Sequence, residues 1–112
     1  MAAVLRGDVR WAALDPVRGS EQGGRRPVLV LSDDLFNERS QTVIAMVVTS
    51  QPPSVGYPLN YELTAIDLPK RSWVKVTQVR TLAVGRLGGL LGRATVLQLA
   101  EVVDALNEII GA

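Results

Sequence analysis

A chain of 112 residues with 47% apolar side chains and a formal net charge of +1 has the size and composition of one folded domain with a modest core, and is too apolar for a disordered segment. It has no cysteine and no histidine, which excludes disulfide frameworks, thiolate chemistry and the commonest general base and metal ligand. Balanced charge does not advertise nucleic acid, so any anion binding rests on where single arginines stand: Arg18, Arg25, Arg26, Arg71, Arg80 and Arg86. No apolar run approaches a membrane span and Met1–Arg6 lacks a signal peptide's apolar region, so the expectation is a cytoplasmic protein with no membrane partner.

Val9, Trp11 and Ala13 alternate with Asp8, Arg10 and Ala12, the period of a half-buried strand opening after Gly7 and stopped by Asp15-Pro16. A long loop, Pro16 to Arg26, follows, and ordered loops of that length tend to carry function. Pro27 to Ser32 is a continuous apolar run that predicts a central strand buried on both faces, with Pro27 admissible only as its first residue. Asp33 to Asn37 reads as a turn or single helical turn. Val43 to Val48 predicts a third strand ending at Thr49-Ser50-Gln51. Pro52 to Pro58 is a second loop, stiffened by three prolines. Leu59 to Leu63 alternates as a strand, and Asp67 to Arg71 turns. Ser72 to Val76 and Gln78 to Leu82 are two further strand candidates, and Leu87 to Leu91 a short strand or turn broken by glycines. Leu99, Val102, Val103, Leu106, Ile109 and Ile110 then recur at three- and four-residue steps, predicting an amphipathic helix from about Thr95 to Ile110. Thr95 and Gln98 stand in a capping-box relation, with Gly111 at the C-terminal cap. The sum is a mainly β chain, a small curled sheet or barrel with a helix packed on it, in one domain spanning 1–112.

The chemically capable groups gather in two places. Gly19 to Pro27 holds Ser20, Glu21, Gln22, two glycines and the pair Arg25-Arg26. Guanidinium forks match a phosphate with two parallel hydrogen bonds, and Gly23-Gly24 lets backbone approach a ligand closely. Thr49 and Ser50 end a strand with their hydroxyls at its rim, and Gln22 and Gln51 are neutral groups able to read base edges. Arginines beside a glycine turn also occur as plain solvated side chains, and a strand-ending Thr-Ser as backbone-satisfying groups. Trp11, Trp73 and Phe36 read as core. Tyr57 and Tyr61 are the better stacking candidates, although aromatics in alternating strands usually pack.

Several stretches together resemble the MazF/PemK-like toxin family. They are Gly7-Asp8-Val9-Arg10-Trp11, Leu14-Asp15-Pro16, Arg18 through Ser32, Val48-Thr49-Ser50-Gln51, Gly56-Tyr57-Pro58, Ser72-Trp73-Val74-Lys75 and Gln78-Val79-Arg80-Thr81-Leu82. The resemblance spans nearly the whole chain, with the motifs in the family's order. Ser50 departs from it by standing where a second threonine is often seen, and Arg25 by adding a charge.

The resemblance implies a small SH3-like β-barrel (the MazF/CcdB-like fold) with a C-terminal helix, working as a homodimer. It implies a type II toxin–antitoxin toxin: a metal-independent, cofactor-free endoribonuclease cutting single-stranded RNA at a short sequence, inhibiting translation and growth. The partners implied are a cognate MazE-type antitoxin and, only through the antitoxin complex, operator DNA. Carried over by position, Arg26 and Thr49 are the catalytic pair and Glu21 a further catalytic candidate. Ser20, Gln22, Arg25, Ser50, Gln51, Gln78 and Arg80 are the candidate RNA contacts. Attack by the ribose 2′-hydroxyl needs neither cysteine nor metal, in keeping with the composition. A guanidinium is a poor base at neutral pH, which assigns Arg26 to phosphate charge and proton delivery and leaves Glu21 as a candidate base. Two other readings stand beside this one: a non-nucleolytic toxin on the same fold that binds DNA gyrase, and an RNA-binding module without turnover.

Overall fold

The computed structural model describes residues 3–14, 24–64 and 67–112. Among these lie β1 (Asp8–Ala13), β2 (Arg25–Val30), α1 (Asp34–Ser40), β3 (Thr42–Thr49), β4 (Asn60–Glu62), β5 (Trp73–Ala83), β6 (Leu87–Arg93) and α2 (Val96–Ile110). The strands form one antiparallel sheet in the order β4-β5-β3-β2-β1-β6. Its edges, the three-residue β4 and β6, are not hydrogen-bonded to each other, so the expected small SH3-like sheet is curled without closing, a minor point. The mainly β fold with a C-terminal helix is as expected.

Strand alternation sends apolar residues to both faces of the sheet. Val28, Val30, Val43, Ala45 and Val47 join Ala12, Leu14 and Leu82 in one core. Leu29, Met46, Val48, Val74 and Val76 meet Leu99, Val102 and Ala105 of α2 in the other. Helix α2 begins as its sequence predicts. Thr95 Oγ1 accepts from Gln98 N at 3.1 Å, Gln98 Oε1 accepts from Thr95 N at 2.9 Å, and Gly111 caps the end at φ 76°.

Four elements besides β2 differ from expectation. Asp33 to Asn37 opens a seven-residue helix in which Asp33 accepts from Leu35 N at 3.0 Å. The helix lacks apolar periodicity because it buries an amide: Asn37 Nδ2 donates to Val4 O at 3.1 Å and to Ser32 O at 3.2 Å. The two strand candidates after Arg71 are arms of one strand, β5. Its register against β3 jumps between Met46↔Val79 and Val48↔Val74, an odd shift that turns Val74 and Val76 toward α2 but Leu82 to the opposite core. Leu87 to Leu91 belongs to a full strand, β6, paired with β1 through two register irregularities.

The fourth difference is in β1. Asp8 and Arg10 read as its solvent face, yet they are 0% and 6% exposed. Asp8 accepts from Leu5 N, Arg10 Nε and Arg93 Nε at 3.0, 3.0 and 2.9 Å, while Arg10 donates to Gly88 O at 3.3 Å and Ala3 O at 3.4 Å. The carboxylate ties β1 to β6 and to the turn before it.

Candidate active site

Proline sets the shape of the site. Pro27 lies inside β2, which starts at Arg25, and not at its first residue as expected. In the β2–β3 ladder Leu31 N donates to Ile44 O at 2.8 Å, and that alternation assigns to residue 27 the N–H that would bond the Val48 carbonyl. Proline has none. The ladder stops at Val28↔Val47. Continued by two residues it would seat Arg26 across from Thr49. Two cavities are found around that point.

One cavity, of about 290 Å³, is walled by Val9, Trp11, Pro27, Leu68, Pro69 and Leu91, with Arg25, Ser50 and Lys70 also lining it. The Arg25 guanidinium sits 4.8 Å from the centre of the Trp11 ring, a cation–π contact. The other cavity, about 610 Å³, is open and polar, lined by Gln51, Asn60, Lys75 and Thr77 beneath the Pro52–Val55 loop. Among the described residues only Arg26 and Thr49 line both. Thr49 Oγ1 accepts from Gln51 N at 3.1 Å. That bond occupies a lone pair and leaves the hydroxyl proton to be donated. Arg26 is exposed and Thr49 half-buried.

The structure thus brings together Arg25, Arg26, Thr49, Ser50 and Gln51 of the residues singled out from sequence. Gln78 and Arg80 line neither cavity, and Arg80 Nη1 donates to Leu14 O at 2.9 Å. Ser20, Glu21 and Gln22 lie outside the described residues. Sequence reasoning passed over Lys70, Asn60 and Thr77, whose presence here depends on turn geometry and on the β4–β5 register. Trp11, read as core, is half-buried in the wall of the smaller cavity.

Tyr57 and Tyr61 face the acidic side of α2. Tyr61 donates its hydroxyl to Glu101 Oε1 at 2.9 Å; burial first, then that carboxylate, push its phenol up to about 12. Loss of water, then Glu108, raises Tyr57 as well. Arg71 donates to Glu62 through Nε and Nη2 at 2.8 and 3.0 Å, holding that carboxyl below its usual range, and lies 5.0 Å over the Trp73 ring. No group of three carboxylates able to hold a metal ion stands together among the described residues, and no helix there is long and apolar enough to cross a membrane.

The chain has known relatives. A family model described as "PemK-like, MazF-like toxin of type II toxin-antitoxin system" matches residues 5–110. The Endoribonuclease MazF of Staphylococcus saprophyticus is 37% identical over 108 residues, covering 95% of this chain and 90% of that protein. The crystal structure of MazF (form I) from Deinococcus radiodurans is similar with a TM-score of 0.87 and 34% identity over 100% of both chains. That of MazE–MazF (form II) from the same organism matches with a TM-score of 0.80 and 34% identity over 99% of this chain and 98% of that one.

Proposed function

The chain belongs to the family of PemK-like, MazF-like toxins of type II toxin–antitoxin systems, and from that membership we propose that it is an endoribonuclease that cuts single-stranded RNA between the residues lining its two cavities. The observation that carries this reading is the position of Arg26 and Thr49, which alone among the described residues border both spaces. A strand of RNA crossing from one cavity to the other passes its phosphate between them.

In the proposed reaction the ribose 2′-oxygen attacks phosphorus in line, the 2′-O–P bond forms and the P–O5′ bond breaks. The 2′-hydroxyl proton passes to the base and a proton from Arg26 reaches O5′, giving a 2′,3′-cyclic phosphate and a 5′-hydroxyl, after which solvent restores both groups. Arg26 spans two non-bridging oxygens as their charge grows. Thr49 donates its hydroxyl proton to one of them, its oxygen already oriented by Gln51 N. Glu21 is proposed as the base. The neighbouring 2′-hydroxyl is itself the nucleophile, so no metal is needed to generate one, and the reaction is proposed to run without a metal cofactor. Arg25, Ser50 and Gln51 are proposed RNA contacts because they line the same spaces; Ser20, Gln22, Gln78 and Arg80 keep that role only by position in the family pattern.

The setting is the cytoplasm, where the RNA is, with a MazE-type antitoxin as partner and operator DNA reached through that complex. Self-association is supported by Val96 and Leu97, 83% and 68% exposed, apolar side chains that a second copy would shield. A monomeric mass at micromolar concentration by light scattering would refute the dimer. The nuclease is tested by incubating the protein with a long single-stranded RNA in excess chelator. Discrete fragments ending in cyclic phosphate are expected, and Arg26→Ala should reduce their rate about a hundredfold or more. Undiminished cutting by Arg26→Ala would refute the assignment, as chelator-sensitive cutting would refute the metal-free reaction.

A further inference from the structure

The two spaces beside Arg26 and Thr49 have opposite chemistry. The smaller is an apolar slot at the small end of ligand pockets, which run from roughly 300 Å³ upward, and it presents Trp11, Pro27 and Leu91. The larger offers an amide, an ammonium and hydroxyls. Within it Asn60 of β4 and Lys75 of β5 are register partners, so their side chains leave the same face of the sheet as neighbours.

Asn60 is held firmly there. Its backbone N donates to Gly56 O at 3.2 Å and its Nδ2 donates to Val55 O at 2.8 Å, which anchors the residue to the proline-rich loop. A primary amide has two N–H donors and a carbonyl acceptor. With one donor spent on Val55, Asn60 keeps an N–H and an oxygen at the polar cavity that it lines. A donor and an acceptor side by side suit the hydrogen-bonding edge of a nucleobase, the feature by which unpaired RNA is read.

We propose that Asn60 is a specificity-determining residue, its amide reading the base edge of one nucleotide beside the cut phosphate while Lys75 holds a neighbouring phosphate whatever the base. The apolar slot receives the nucleotide on the other side by stacking, which every base allows. This rests on the ribonuclease reading above.

The test is to sequence the fragment ends produced from a randomised single-stranded RNA library by the full chain and its variants. Asn60→Asp leaves only acceptors, so preference at one position should move toward guanine, whose N1–H and N2–H2 offer two donors, by roughly tenfold in relative kcat/KM. Asn60→Ser, small and still polar, should broaden preference at that same position. Lys75→Gln should raise KM for all sequences and flatten the salt dependence with the preference unmoved. Parental preference in both Asn60 variants would overturn the proposal while leaving the nuclease reading intact. A parent chain that cuts no RNA at all would overturn both.

Discussion

Replacing Thr49 by valine removes one hydroxyl and little volume, and separates the two jobs of that oxygen. The first is structural: Oγ1 accepts from Gln51 N at 3.1 Å at an exposed site. Water can take over that bond, so the stability cost is at most about 1 kcal/mol. The second is the proposed donation to a phosphate oxygen that gains charge during attack. Loss of one preoriented donor of this kind typically costs about 10²–10³ in kcat. Thr49 is half-buried and Arg26 exposed, so water competes for the same oxygen and the lower end, about a hundredfold, is expected. Single-turnover cleavage of a short fluorogenic RNA at saturating enzyme isolates the step from binding. Thr49→Ser keeps the hydroxyl and should stay near the parent rate. Arg26→Ala combined with Thr49→Val should fall short of the product of the single effects, since both groups serve one phosphate. A Thr49→Val enzyme with parental kcat would refute the reasoning.

Asp8→Ala strips the partner from a nearly buried guanidinium, its side chain 8% exposed at Arg10, and should cost about 3–5 kcal/mol in a urea melt; a loss under about 1 kcal/mol would mean that the cluster contributes nothing beyond surface pairs. Tyr61 should titrate at about 12 rather than at the ordinary 10.0, read by phenolate absorbance. Its folded pKa lies above the unfolded one, so its contribution is whole below pH 10.0 and is lost as pH climbs toward about 12. Tyr61→Phe should therefore flatten the alkaline fall in stability over that window, and an unchanged slope would contradict the assignment.

Much of this was legible before any coordinates. The helix α2 announces itself twice, by the three- and four-residue recurrence of Leu99, Val102 and Leu106 and by the Thr95/Gln98 box, because local spacing and local hydrogen bonds coincide. The nearness of Arg26 and Thr49 also has a local origin. One stands near the start of a strand and the other at the end of the next strand in the sheet, and an antiparallel pair sets those ends side by side. What stayed hidden depends on distant residues. Asp8 and Arg10 alternate as a solvent face, yet Arg93, 85 positions away from Asp8, helps to bury the carboxylate. No period in Trp73 to Ala83 reveals the odd register shift that exchanges its faces. Lys70 and Asn60 reach the site only through the turn before β5 and the register of β4 against it.

Pro27 links the fold to the chemistry more closely than any charged residue does. A β-sheet closes the gap between its strands, with backbone atoms spaced so that only side chains remain accessible. A catalytic pair on adjacent strands would be confined to one face of a continuous ladder, and a polymer would have to lie across that face. Leaving out one N–H, opposite the Val48 carbonyl, ends the ladder at Val28↔Val47 just short of the pair. The gap costs roughly one ladder hydrogen bond, about 1 kcal/mol. Past that point Arg26 and Thr49 border two spaces in place of one. A phosphodiester must present a base to either side of its phosphate, so a site that cuts it by position and charge needs both spaces. The arginine supplies the charge for that reaction, and the proline beside it supplies the opening.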